Sequence, residues 1–187
     1  MGTKTELRLA LKQKLGVLNE SEQLKLSQKL SSNLHQLLND LGVIQKNLVI
    51  GVYAPIEKEP KWFQSLDESF HKLTAYPAFE SGVMLFKKAA LSELVESQDF
   101  GVTIFGPKAE AQVVEPQVLL IPGLGFGVKG ERLGRGKGFY DKYLESHPVI
   151  KIGVSFEIQI ENNIPTQAHD VKMDFVVTDQ KVYITKR

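Results

Sequence analysis

VLLIPGLGFGVKGERLGRGKGFYDKYLES, residues 118–146, holds three signals in order. Val118 to Ile121 is a continuous apolar run, the pattern of a strand buried on both faces of a sheet. Pro122-Gly123 stops it, and a glycine-rich segment runs on to Gly138. Phe139 to Ser146 then reads as a helix. The same alternation recurs outward. Leu48 to Tyr53, Val149 to Phe156 and Phe175 to Thr178 are further buried-strand candidates, Leu73 to Tyr76 and Val83 to Phe86 are candidate strands, and Tyr183-Ile184 closes the pattern. Leu7, Leu11 and Leu15 predict a helix over 4–15. A leucine stripe from Leu24 to Leu41 predicts a second over 20–40, with Asn19 and Glu22 in capping-box spacing and Gly42 suited to stop it. Lys61 to Phe70 predicts a short helix, and 108–116 reads as a loop. Strands alternating with helices predict an α/β fold with a mainly parallel sheet.

The chain has 187 residues, the size of a single domain over 1–187, and shows no repeat, low-complexity stretch or dividing linker. It contains no cysteine, which excludes a disulfide scaffold, a thiolate zinc site, an iron–sulfur cluster and a cysteine nucleophile. No apolar run approaches membrane-spanning length, and the charged N-terminal segment lacks the apolar core of a secretory signal. A cytoplasmic protein is expected. The net charge is +1, yet residues 129–142 alone sum to +3 and the rest to −2. One concentrated basic segment on a neutral chain points to a small anion rather than to nucleic acid.

Seven glycines lie between positions 121 and 144. Glycines let backbone N–H groups approach a ligand, and the interleaved Arg132, Arg135 and Lys137 add donors for phosphate oxygens. A helix beginning after Gly138 adds its positive end. The plain alternative is a solvated surface loop. Its position after a buried strand, where open α/β sheets bind ligands, favours a site. Stock motifs fail here. Gly136-Lys137 is followed by Gly138, so no Walker A loop is present. Gly125-Phe-Gly-Val-Lys-Gly130 is a lone GxGxxG with glycines continuing where a binding helix belongs, which leaves a dinucleotide oxidoreductase as a rival reading. Lys137-Gly138-Phe139 opens like an RNA-recognition submotif that Tyr140-Asp141 breaks.

Residues 122–144, as Pro-Gly-x-x-Phe, then Arg-Leu-Gly-x-Gly-x-Gly-Phe-Tyr-Asp and a closing Leu, resemble the 5-formyltetrahydrofolate cyclo-ligase (methenyltetrahydrofolate synthetase) family. Lys4-Thr-Glu-Leu-Arg8, Tyr53-Ala-Pro55 with Glu59, Gly153-Val154, Gln159, Pro165, His169-Asp170, Asp174 and Thr178 extend the resemblance along the chain, and Phe100-Gly101 and Pro107 fit more loosely. The departure is Gly127, where the family usually has Asp.

The resemblance implies a three-layer Rossmann-like α/β domain with its site at the C-terminal edge of the sheet. It implies conversion of 5-formyltetrahydrofolate to 5,10-methenyltetrahydrofolate with ATP and Mg2+, releasing ADP and phosphate through a phosphorylated formyl group. ATP is then expected on Lys4, Arg8 and the run Arg132, Leu133, Gly134, Arg135, Gly136, Lys137, Gly138, Phe139 and Tyr140, with Arg135 and Lys137 acting on the transferring group. Folate is expected on Tyr53, Pro55, Glu59 and Tyr140, with Glu57 as an alternative to Glu59. Asp141 and Asp170 are the expected magnesium ligands. Each has a plain reading beside this one: solvated helix charges for Lys4 and Arg8, a loop acid for Glu59, a helix-start charge for Asp141, a turn residue for Asp170 and core for the Phe139-Tyr140 pair. No nucleic acid or membrane partner is expected, and a monomer is the expected state. A non-catalytic nucleotide- or RNA-binding relative on the same scaffold is the second reading.

Overall fold

Reciprocal caps start both N-terminal helices. The computed structural model describes residues 3–99, 102–167 and 170–185, so Phe100-Gly101 and His169 lie outside the described residues. Helix α1 spans Lys4–Gly16. The Thr3 hydroxyl accepts the Glu6 N–H at 3.2 Å, and the Glu6 carboxylate accepts the Thr3 N–H at 2.6 Å. Helix α2, Glu20–Asp40, repeats the arrangement with Asn19 and Glu22 at 3.0 and 2.9 Å. A cap of this kind contributes about 1 kcal/mol.

The strands are β1 (Ile50–Gly51), β2 (Thr74–Glu80), β3 (Val83–Lys88), β4 (Val95–Asp99), β5 (Val102–Gly106), β6 (Val113–Val114), β7 (Val118–Pro122), β8 (Gly125–Gly127), β9 (Arg132–Leu133), β10 (Ile150–Val154), β11 (Ile160–Glu161), β12 (Phe175–Val177) and β13 (Val182–Ile184). Helix α3 is Glu68–His71 and α4 is Phe139–Ser146. The main sheet has the order β13-β12-β10-β7-β1-β2-β3-β6. Its middle, from β12 to β2, is parallel, and β13, β3 and β6 add antiparallel edges. Ser81 and Gly82, both at positive φ, turn the β2–β3 hairpin.

Alternation along β7 divides the core. Val118 and Leu120 join Ile50, Ile152 and Val154 under Leu30, Leu34 and Leu38 of α2. Leu119 and Ile121 face the other way, against Tyr143 and Leu144 of α4. Burying one such leucine is worth roughly 1.5–3 kcal/mol, so both faces of β7 demand a helix. Three layers follow. Strand β8 pairs with β11 and β9 in a small second sheet beyond the end of β7. Leu11 of α1 packs with Leu133 and Ile164 against it. That contact lays the start of α1 over the glycine-rich segment.

Three local readings are corrected, and one hairpin is added. Lys61 to Phe70 is helical only at α3, because the Ser27 and Ser31 hydroxyls take the N–H groups of Lys61 and Ser65 instead. The run 48–53 is a strand only at Ile50–Gly51. The 108–116 loop contains β6, which forms by pairing with Phe86 and Lys87. The β4–β5 hairpin was no part of the expected pattern. Among the described residues, no helix is long and apolar enough to cross a membrane.

Candidate functional site

The glycine-rich segment is a structured loop. Gly130, at φ +86, bonds back to Gly127, and its carbonyl accepts the Met173 N–H at 2.9 Å. Gln159, buried in the turn after β10, donates to the carbonyls of Gly123 and Leu124 at 3.1 Å each. Gly138, at φ +71, leads into α4 as an N-cap without a capping side chain, so no side chain of that residue answers the first N–H groups. Arg132 is the inner brace. Its guanidinium donates to the Pro122 carbonyl at 3.1 Å and to Asp141 Oδ2 at 3.2 Å, lies 5.5 Å from the Tyr140 ring, and keeps a buried Nε with no acceptor among the described residues.

Other elements bring groups to this loop. Arg8 Nε, on α1, donates to the Gly134 carbonyl at 3.0 Å. Lys4, one turn earlier, pairs with Asp170 at 2.6 Å, and the Gln167 N–H bonds the same Asp170 oxygen at 2.7 Å. Arg135 reaches the segment after β1, where its Nε and terminal nitrogen donate to Glu59 Oε1 at 3.1 and 2.9 Å. The other Glu59 oxygen accepts the Ile56 N–H at 3.2 Å. Glu59 has 9% of its side chain exposed. Burial raises its pKa above the usual 4.5, while Arg135 and the Ile56 N–H oppose the rise. Burial likewise lifts the Tyr53 and Tyr140 hydroxyls, and the charge of Glu59 adds to both. Two phenols and a buried carboxylate thus stand together beneath an arginine. Lys137 is exposed, with no hydrogen bond or ion pair among the described residues.

Most of the expected residues therefore converge on one loop, in unequal roles. The Leu133 side chain fills the small core with Leu11, and its carbonyl is taken by the Leu124 N–H at 2.8 Å. Phe139 packs on Phe79 with ring centres 4.7 Å apart. Tyr53 is buried and donates its hydroxyl to the Pro60 carbonyl at 2.9 Å, which shapes the loop carrying Glu59. Glu57 is exposed, whereas Glu59 points inward. Asp141 and Asp170 are each held by a cation, Arg132 and Lys4, and no group of three metal-ligating His, Cys, Asp or Glu side chains occurs among the described residues. At Gly127 a side chain would collide with the Glu131 carboxylate, which pairs with Lys172 at 3.2 Å. Gln159 as the loop's anchor carries no local sequence signal, since its partners lie 35 and 36 positions away.

A sequence profile of the 5-formyltetrahydrofolate cyclo-ligase family matches residues 1–179. The chain belongs to this family. Among its relatives, the 5-formyltetrahydrofolate cyclo-ligase of Mus musculus is 44% identical over 66 residues, 32% of this chain and 32% of the mouse protein. That match thus spans about a third of the mouse protein's length. Likeness to solved structures runs further. The 5,10-methenyltetrahydrofolate synthetase of Aquifex aeolicus superposes with a TM-score of 0.79 at 27% identity, over 98% of this chain and 93% of that one. The Mycoplasma pneumoniae synthetase gives 0.72 at 25% identity, over 95% and 99%. The three-layer arrangement with its mainly parallel sheet is the fold of these family structures.

Proposed function

We propose that this chain is an ATP- and magnesium-dependent 5-formyltetrahydrofolate cyclo-ligase that forms 5,10-methenyltetrahydrofolate, ADP and phosphate. The observation that carries the reading is the pairing of a buried carboxylate, Glu59, with a loop arginine, Arg135, two positions from an exposed lysine that has no partner among the described residues. A carboxylate buried at the foot of a cationic loop suits two substrates at once. Glu59 accepts hydrogen bonds from the amino-pyrimidine edge of the pterin, and Arg135 and Lys137 neutralise the phosphates of ATP.

The chemistry balances as follows. The formyl oxygen attacks the terminal phosphorus of ATP, and ADP leaves. The N10 lone pair then adds to the activated formyl carbon, N10 gives up its proton, and the carbon–oxygen bond breaks to release phosphate. Arg135 and Lys137 stabilise charge on the transferring phosphoryl group. Lys4, Arg8 and the loop from Gly134 to Gly138 hold the remaining phosphates, and the spare Nε of Arg132 is one more donor for an anion. Pro55 and Tyr140 wall the pterin, and the buried Tyr53 supports them indirectly by holding the Glu59 loop through its hydroxyl on the Pro60 carbonyl.

Two aspartates already engaged by cations do not form a resident metal cage. They fit an ion that arrives with the nucleotide, since magnesium keeps most of its water and takes one or two carboxylates plus phosphate oxygens. Asp141 and Asp170 would be those carboxylates. The ion supplies further neutralisation of phosphate charge.

Oxygen labelling tests the route. With 18O in the formyl group, each phosphate released carries one labelled oxygen. Unlabelled phosphate alongside methenyl product contradicts phosphorylation on the formyl oxygen.

A further inference from the structure

Glu59 and Arg135 each occupy the other's binding edge. Nε and one terminal nitrogen of Arg135 both donate to Glu59 Oε1, at 3.1 and 2.9 Å, and the Ile56 N–H reaches the second carboxylate oxygen at 3.2 Å. A carboxylate offers about four lone-pair sites, two on each oxygen, so both sites of Oε1 are filled. A ligand edge with two parallel N–H donors needs a site on each oxygen, and Glu59 has none to give on Oε1 while Arg135 stays. Arg135 is committed in the same way. Its Nε and that terminal nitrogen form one forked edge of the guanidinium, and this edge is turned to Glu59 rather than to a phosphate.

The two partners differ in freedom. Glu59 is pinned: its own N–H bonds the Ile56 carbonyl at 2.9 Å, and its side chain is only 9% exposed. On one side of it Lys58 Nζ donates to the Leu18 carbonyl, in the turn between α1 and α2, at 2.8 Å. On the other the Pro60 carbonyl accepts the Tyr53 hydroxyl at 2.9 Å, and the Tyr53 carbonyl accepts the indole N–H of the buried Trp62 at 2.8 Å. The Arg135 side chain is 42% exposed and stands between two glycines. Arg8 holds the carbonyl of the first, Gly134, at 3.0 Å. The second, Gly136, turns at φ +103 with no atom nearer than 3.8 Å to a would-be Cβ. Arg135 is therefore the partner that moves.

We propose that the Glu59–Arg135 ion pair is an interlock between the two substrates, opened by whichever binds first and so readying the site for the other. The proposal rests on the function given above and adds to it a coupling between its substrates. ATP draws Arg135 onto phosphate and bares both oxygens of Glu59. The pterin edge takes those oxygens and releases Arg135. Only the first ligand bears the cost of breaking the pair, so each substrate tightens the binding of the other. Linkage makes the two factors equal.

Calorimetric titration with magnesium and adenylyl imidodiphosphate, an ATP analogue that resists cleavage of its last phosphate, reads this without turnover. In the parent chain 5-formyltetrahydrofolate tightens analogue binding at least about fivefold, and the analogue tightens folate binding by the same factor. Glu59→Gln, whose neutral amide holds Arg135 less firmly, binds the analogue about fivefold more tightly than the parent does when folate is left out. Glu57→Gln removes the same charge from an exposed side chain two positions away, and it leaves analogue affinity within about twofold of the parent. Independent binding of the two ligands by a parent that turns over overturns the interlock and leaves the proposed reaction standing. An equal gain in both variants also overturns it, since that is an effect of charge and not of a released arginine. A parent that binds the analogue but neither binds nor converts 5-formyltetrahydrofolate contradicts the proposed reaction, while a gain confined to Glu59→Gln still supports the hold on Arg135.

Discussion

Glu59 is the residue where function and stability pull apart. Its carboxylate is buried beside two phenols, and burial outweighs Arg135 in setting its proton affinity, so the folded chain holds that proton more tightly than the unfolded chain does. Where the folded pKa is raised, stability is greatest below the unfolded value of 4.5 and declines as pH rises through the folded one. Glu59→Gln removes this titration. The account predicts that the variant loses turnover at least about tenfold, yet gains stability relative to the parent as pH rises above 4.5. Urea unfolding midpoints of both chains from that pH upward check it. A parallel pH dependence of the two chains contradicts the burial argument. Glu59 itself is legible in the sequence only as a choice between two acids. What separates it from Glu57 is that Glu57 sits at positive φ and faces outward, a backbone fact with no local signature.

At the scale of elements, the glycine-rich loop is held by its backbone turns as well as by the Arg132 brace. Gly130 turns at a φ that side chains rarely adopt, and a Cβ there would lie 2.5 Å from the Met173 carbonyl oxygen. Gly130→Ala therefore combines left-handed strain with a clash against backbone, for a loss of about 2–4 kcal/mol. Gly138 also has positive φ, but nothing lies within 4 Å of its would-be Cβ, so Gly138→Ala carries the strain alone, about 1–2 kcal/mol. Denaturation midpoints of the two variants give the order, and a Gly130→Ala chain as stable as Gly138→Ala contradicts the anchoring of the loop on Met173. Elements whose signals are local are the ones the sequence reveals. Helices α1 and α2 fall within a residue or so of their leucine spacing and caps. Segment 61–66 does not become helical because hydroxyls on α2, more than thirty positions earlier, compete for its N–H groups. Strand β6 exists through a partner on β3 that its own polar surroundings do not announce.

Across the whole molecule, the site is an assembly of distant pieces. Arg135 meets Glu59 across 76 positions, and Lys4 meets Asp170 across 166. Composition and periodicity reach as far as an α/β sheet with an anion-binding loop. The folate side of the reading comes from the family's residue pattern, because no spacing in the chain predicts that the start of α1 is laid over β9 by Leu11 and Leu133. The most direct measurement mixes the purified chain with ATP, magnesium and 5-formyltetrahydrofolate at mildly acidic pH and follows the near-ultraviolet band of the methenyl product. Lys137→Ala is run beside it as a chain that keeps its fold, since Lys137 is exposed and bonded to nothing among the described residues. The account predicts a rise in the parent that requires both ATP and magnesium and is lost in Lys137→Ala. A flat trace from a folded parent that binds ATP, or an undiminished rise in the variant, would contradict it.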